Sequence, residues 1–99
     1  MRRASRTDAN HMEICLALRS YGVKVVSLAT VGNGCPDLLC GYQGKNYLLE
    51  VKLDNVAPSA SRLNAVQRRW HMAWNGQVAV VRCVGAALDA LEIKEWKGI

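Results

Sequence analysis

The sequence runs to 99 residues, with 13 Lys and Arg against 8 Asp and Glu, a net charge of +5 and a 51% hydrophobic share. That length holds one domain around one core and excludes a multidomain enzyme, while the apolar share excludes a disordered basic tail. A basic balance favours a polyanionic partner, nucleic acid first. No apolar run approaches the roughly 20 residues that cross a bilayer, and the start MRRASRTDAN lacks the apolar stretch of a secretory signal, so a cytoplasmic location is expected. Cys15, Cys35, Cys40 and Cys83 show no CxxC spacing and are expected to be small buried hydrophobes. His11 and Cys15, one helical turn apart, make two ligands at most, and packing is the preferred reading.

In chain order, residues 1–7 read as a flexible basic arm carrying Arg2, Arg3 and Arg6. Asp8 is placed to cap a first helix that runs to about Tyr21, with Gly22 as its stop and Ile14, Cys15, Leu18 and Tyr21 at helical spacing. The β-branched run VKVVSLATV predicts a strand ended by Gly-Asn-Gly at 32–34. Two further strands, Pro36 to Gly41 and Lys45 to Lys52, are joined through Tyr-Gln-Gly as a hairpin; being apolar on both faces, they belong inside a covered sheet. Asn55 to Ala60 is a loop, after which Ser59 or Ser61 caps a long helix to about Asn75, stopped by Gly76. Leu63, Val66, Trp70, Ala73 and Trp74 form its expected buried stripe. A strand at 77–84 and a helix from Ala86 to about Trp96 complete the order αβββαβα, an α/β fold whose mixed sheet is flanked by helices.

Charge is unevenly placed along this order. Residues 1–24 carry five basic residues against Asp8 and Glu13. Residues 55–88 hold Arg62, Arg68, Arg69 and Arg82 with no acid, and the middle, 25–52, is neutral. The two acids of that middle are Asp37, which opens one strand, and Glu50, which shares a strand face with Lys52 because side chains alternate with period two. A hairpin brings the start of its first strand beside the end of its second, and so Asp37 beside Glu50 and Lys52. Burying two carboxylates and an ammonium among Leu, Val and Tyr is costly without a task. The chemistry they suit is metal-assisted hydrolysis of a phosphodiester. Asp37, Glu50 and the Val51 carbonyl are hard oxygen donors of the kind Mg²⁺ or Mn²⁺ takes, and Lys52 can orient or deprotonate a water or offset charge on the phosphate. The alternative is a structural ion pair at a strand end.

The string GCPDLLCGYQGKNYLLEVK from Gly34 to Lys52 resembles the core of the PD-(D/E)xK nuclease superfamily, Pro36-Asp37 and Glu50-Val51-Lys52 matching its Pro-Asp and Glu-x-Lys positions. Within it, the chain is most similar to the virus-type replication-repair nuclease domain, VRR-NUC, over nearly its whole length. The resemblance implies a restriction-endonuclease-like fold, a single nuclease domain over 1–99, and a phage-like origin with a place in viral or bacterial host cytoplasm and in DNA repair. It implies that Asp37, Glu50 and the Val51 carbonyl hold Mg²⁺ or Mn²⁺, that Lys52 acts on the attacking water, and that Glu13 of the first helix completes a second metal position or binds its waters. It also implies a role for Gln67 in the long helix. Ala9, Ala17 and Ser20 around Glu13 leave it room, although an acid in the early turns of a helix also has an ordinary dipole rationale. Gln67, grouped by helical geometry with Leu63, Trp70 and Trp74, is expected on the buried stripe, bonded near Lys52 or to metal waters, or else as a satisfied core amide.

Arg62 and Arg69, seven apart on the same expected helix, and the arm residues Arg2, Arg3 and Arg6 are candidate phosphate contacts; Trp70, Trp74 and Trp96 read as core or interface. The expected function is a metal-dependent DNA endonuclease that resolves four-way junctions as a homodimer, since a chain this short gains surface by two-fold pairing. Cleavage of flaps or nicked duplex, as in the related domain of the Fanconi-associated nuclease, and a non-catalytic basic DNA-binding module are the alternatives.

Overall fold

A computed structural model describes residues 6–53 and 62–97. Their elements are α1 (Arg6–Ser20), β1 (Lys24–Ser27), β2 (Leu38–Tyr42), β3 (Lys45–Val51), α2 (Ala65–Ala73), β4 (Ala79–Val81) and α3 (Val84–Ala90), with a 3₁₀ turn at Glu95–Lys97. The strands form one mixed sheet in the order β1-β2-β3-β4: the first three are antiparallel neighbours and β4 runs parallel to β3. The parallel step is what a crossover segment containing α2 allows.

Local chemistry sets most of these boundaries. Gln43 and Gly44 both take positive φ, 49° and 79°, the two-residue hairpin conformation whose twist matches that of the flanking strands. This turn fixes the pairing of Leu38 with Leu49, and by extension sets Asp37 opposite Glu50. β1 is shorter than its β-branched run. Leu28 N–H still donates to the Asp37 carbonyl at 2.7 Å, but Ser27 Oγ then accepts from Ala29 N–H and the chain turns through Val31, whose N–H returns to the Leu28 carbonyl.

Period two divides the sheet into two unlike faces. Leu38, Cys40, Tyr47, Leu49, Val51 and Val81 point to one, where they meet Ile14 and Leu18 of α1 and Ala87 and Leu88 of α3, joined by Leu91 and Ile93 just beyond; this is the core. Asp37, Leu39, Leu48 and Glu50 occupy the other face. α2 stands on that side, with the Val66 carbonyl so close to Gly34 that a Cβ there would lie 2.6 Å from it. Gly34 also has φ +82°, so glycine is required twice over at this contact.

Several expected boundaries are corrected. α1 already includes Arg6 and Asp8, so Asp8 is not its cap and Arg6 does not belong to an arm preceding the helix; Arg2 and Arg3 lie outside the described residues. Gly22, with φ +85°, does follow the end of α1, whose last turn is closed by Gly22 N–H on the Arg19 carbonyl and Val23 N–H on the Leu18 carbonyl. Ser59 and Ser61 also lie outside the described residues, and the cap of α2 is Asn64. Its side chain accepts from Gln67 N–H while Gln67 Oε1 accepts from Asn64 N–H, a capping box. Leu63 therefore precedes α2, which ends at Ala73, two residues short of Asn75. Its expected stripe is not buried: no residue of α2 is, and Val66, Met72 and, just past its end, Trp74 are exposed. Trp70 instead stacks on Trp74 at 4.7 Å between centroids, and Trp74 Nε1 donates to the Gln77 carbonyl. The last strand ends sooner than expected because Cys83, itself exposed rather than buried, caps α3 through Sγ, which accepts from Ala86 N–H, so the helix begins at Val84 rather than Ala86; it ends at Ala90, with Leu91 as its C-cap, well short of Trp96. Among the described residues no helix is long and apolar enough to cross a membrane.

Candidate active site

The hairpin register places Asp37 and Glu50 side by side on the sheet face that carries α2. Asp37 is held from below: its Oδ2 accepts from Val51 N–H at 2.7 Å. An extended residue turns its N–H and C=O to the same edge of its strand, so the Val51 carbonyl is directed toward the Asp37 side as well. Glu50 is the one buried charged residue among the described chain, only 2% exposed. Its carboxyl hydrogen-bonds that of Asp37. Burial first, then that bond and the Asp37 charge, push it up from 4.5 to about 8, against a smaller downward pull from Lys52. At neutral pH without a cation, then, the Glu50 carboxyl keeps its proton.

Glu50 Oε1 has no hydrogen-bond partner among the described residues; neither has His71 Nε2 of α2, 4.0 Å from it. His71 is pushed down from 6.5 by burial and by the Lys52 ammonium, which keeps its imidazole neutral at pH 7. Lys52, whose N–H donates to the Val81 carbonyl, thus lies close enough to act on both Glu50 and His71. The Lys52 carbonyl is fixed in turn by Asn10 of α1, whose Nδ2 donates to it at 3.0 Å and to the Arg82 carbonyl at 3.4 Å. Cys35, half-buried, has a thiol raised by burial and by the Glu50 and Asp37 charges beside it.

Of the residues singled out in the sequence, Asp37, Glu50, Val51 and Lys52 come together. Glu13 is exposed on α1, which packs on the opposite face of the sheet, and among the described residues no contact joins it to the carboxyl pair. Gln67 is half-buried and its Oε1 serves the capping box, so it is a satisfied amide at a helix start rather than part of a buried stripe. Arg62 lies before α2 and Arg69 within it, both exposed, so the seven-residue spacing does not put them on one helical face. His11 Nδ1 and Cys15 Sγ are 3.8 Å apart as a polar contact beside the core, and among the described residues no three His, Cys, Asp or Glu side chains form a ready metal cluster. Two contributors were missed. Asn10 sits one turn before Ile14 on the core stripe of α1, and His71 one turn after Gln67; a polar residue in line with an apolar stripe and a histidine in register with a flagged glutamine were the available signals.

Whether these residues suit a divalent cation is a question of donor chemistry. Two adjacent carboxyls, one raised by the other and with a buried oxygen lacking a partner, and both beside a main-chain carbonyl edge, form a hard oxygen set of the kind such a cation satisfies. They fit.

The chain is similar to a solved VRR_NUC domain, with a TM-score of 0.68 and 24% identity, covering 90% of this chain and 97% of that one. No protein-family model matches the sequence, and no curated protein does. The molecule thus has the fold of a VRR_NUC domain, a mixed sheet between helices, as the resemblance of its Pro36-Asp37 and Glu50-Val51-Lys52 positions implied.

Proposed function

We propose that this chain is a metal-dependent endodeoxyribonuclease that hydrolyses phosphodiester bonds. The observation that carries the reading is the Asp37–Glu50 pair: directly opposed on adjacent strands, one carboxyl tied to the main chain, the other buried with a free oxygen. A purely structural ion pair would set a carboxylate against a cation. Here two acids are set against each other, at a cost met at neutral pH by a proton held on Glu50, which an added cation can replace. The likeness to a VRR_NUC domain supports the same reading.

Asp37, Glu50 and the Val51 carbonyl would hold Mg²⁺ or Mn²⁺, which supplies Lewis acidity and an acidified water. Asp37 stays in place through its bond from Val51 N–H. Glu50 gives up its proton when the site is loaded. Lys52, on the strand face of Glu50, orients the attacking water or offsets charge that grows on the phosphate. Arg62 and Arg69, both exposed, would hold the DNA backbone together with Arg2, Arg3 and Arg6, the last of these at the start of α1. We further propose that the working form is a homodimer acting on four-way junctions. Support for pairing comes from the apolar surface left on and beside α2, where Met72 is 81% exposed and Val66 and Trp74 are each 44% exposed.

The test is incubation of labelled four-way junctions, flaps, nicked and linear duplexes with Mg²⁺ or Mn²⁺, with Lys52→Ala as control. Cleavage by the wild type that Lys52→Ala loses supports the reading. Equal cutting by both, or binding that persists in EDTA with no cutting, overturns it. A sedimentation mass of a single chain in the presence of junction DNA would overturn the dimer alone.

A further inference from the structure

We propose that His71 is a positioning residue of this site, holding Glu50 by its Oε1 across one bound water and so presenting the other carboxylate oxygen to the cation beside Asp37. The inference rests on the nuclease reading for its purpose but on separate atoms for its support. Both Glu50 Oε1 and His71 Nε2 are buried and neither has a hydrogen-bond partner among the described residues. Buried polar atoms left unpaired cost about 1–3 kcal/mol each, so two of them facing one another call for a common partner.

The separation decides which kind. At 4.0 Å, Nε2 and Oε1 are too far apart for a direct hydrogen bond. One water about 2.8 Å from each would span that distance and gain two polar partners, the least a buried water needs. A direct ligand role is the poorer fit. Asp37, Glu50 and His71 do not group into a metal cluster among the described residues, and the histidine meets Glu50 at Oε1, which has no other partner there. The geometry is that of a group behind a ligand, and groups so placed typically change metal affinity by 10–100-fold.

The surroundings make this position hard to vary. His71 is 12% exposed and meets Trp70 edge-on at 5.8 Å, and Trp70 is stacked on Trp74. α2 in turn is set against the loop before β2 by the close approach of Gly34 to Val66, and its first turn is closed by its capping box. The helix that contributes least to the core therefore carries one side chain aimed at the buried acid.

The experiment compares His71→Phe, which keeps a ring but has no donor, with His71→Gln, whose amide nitrogen can occupy the place of Nε2. Mn²⁺ binding to the DNA-free protein is measured by titration calorimetry, with thermal unfolding recorded alongside. Mn²⁺ affinity should fall tenfold or more in His71→Phe and stay within about threefold of wild type in His71→Gln. Equal Mn²⁺ affinity in wild type and His71→Phe overturns the inference, even if cleavage of DNA is intact. A wild type that takes up no Mn²⁺ also overturns it, whereas one that binds Mn²⁺ through His71 yet cuts no DNA upholds it and removes the nuclease reading alone. Should His71→Phe unfold, His71→Ala with imidazole added back replaces it. Restored Mn²⁺ binding supports the inference, and binding that is unchanged before and after imidazole refutes it.

Discussion

Glu50→Gln should stabilise the metal-free protein, and more so the higher the pH. Glu50 is pushed from 4.5 to about 8 by burial and by its bond to Asp37. Because the folded value is the higher one, the folded chain keeps a proton that the unfolded chain gives up as pH rises past 4.5. Stability is therefore fully retained below that value and declines until the folded carboxyl ionises near pH 8. At about 1.4 kcal/mol per pKa unit, the interval bounds the loss between pH 5 and pH 8 at about 3–4 kcal/mol, and relaxation of the site brings it down to about half of that. Glutamine is nearly the same size, can bond Asp37 through its amide, and does not ionise in the unfolded chain, so it removes the decline.

Chemical unfolding of both proteins in EDTA at several pH values measures this, and because the difference between the two is followed, the opposite titration of His71 largely cancels. For a domain of this size about 2 kcal/mol corresponds to roughly 8–16 °C in melting temperature, so thermal scans give a second readout. The expected result is near-coincidence of the two proteins around pH 4.5 and a widening gap in favour of Glu50→Gln toward pH 8. Excess Mn²⁺ should close that gap by stabilising wild type alone, by RT ln(1 + [Mn²⁺]/Kd). Parallel stability curves, within about 0.5 kcal/mol at every pH, would refute the claim that Glu50 is held protonated by its surroundings.

Gly34→Ala should cost at least about 2 kcal/mol in urea unfolding, since the new Cβ would meet the Val66 carbonyl at 2.6 Å from a backbone with φ +82°. Asn64→Ala removes one half of the capping box at the start of α2 and should cost about 1 kcal/mol, with little added by Gln67→Ala in the same chain if the two residues act as one unit. Arg62→Ala and Arg69→Ala should each lower the slope of log DNA affinity against log salt by about 1 if they meet phosphates, measured by fluorescence anisotropy in Ca²⁺ or EDTA; unchanged slopes would remove them from the interface.

What the sequence made legible follows from how local each signal is. The hairpin was readable because Gln43-Gly44 can form a two-residue turn, and once the turn is fixed every cross-strand neighbour follows, Asp37 and Glu50 included. The stripe of Ile14 and Leu18 was readable for the same reason, as helical spacing alone places both in the core. α2 misled because its apolar residues recur at helical spacing yet meet little: Val66 and Met72 face outward, and a moment in the sequence cannot tell a face that meets a core from one left to solvent. His71 and Asn10 were missed because each acts over a long range, Asn10 on a carbonyl 42 residues away and His71 on an acid 21 positions earlier in another layer.

The two acids divide the work in a way that neither could do alone. Asp37, bonded from the main chain of the strand beside it, is a fixed point that does not depend on any side chain. Glu50 is kept dry and supported at only one oxygen, and its remaining oxygen faces a histidine on the helix that is most weakly joined to the core. A carboxyl held on both oxygens by fixed protein donors would gain stability but offer a cation nothing; one exposed to water would offer a cation only what bulk solvent already does. A buried carboxyl whose second oxygen is engaged only through a proton beside Asp37 can exchange that proton for a cation, and so gains stability when one binds. The instability predicted toward pH 8 and the affinity expected for Mn²⁺ are on this view one quantity measured twice, so that Glu50→Gln, which removes the first, must remove most of the second.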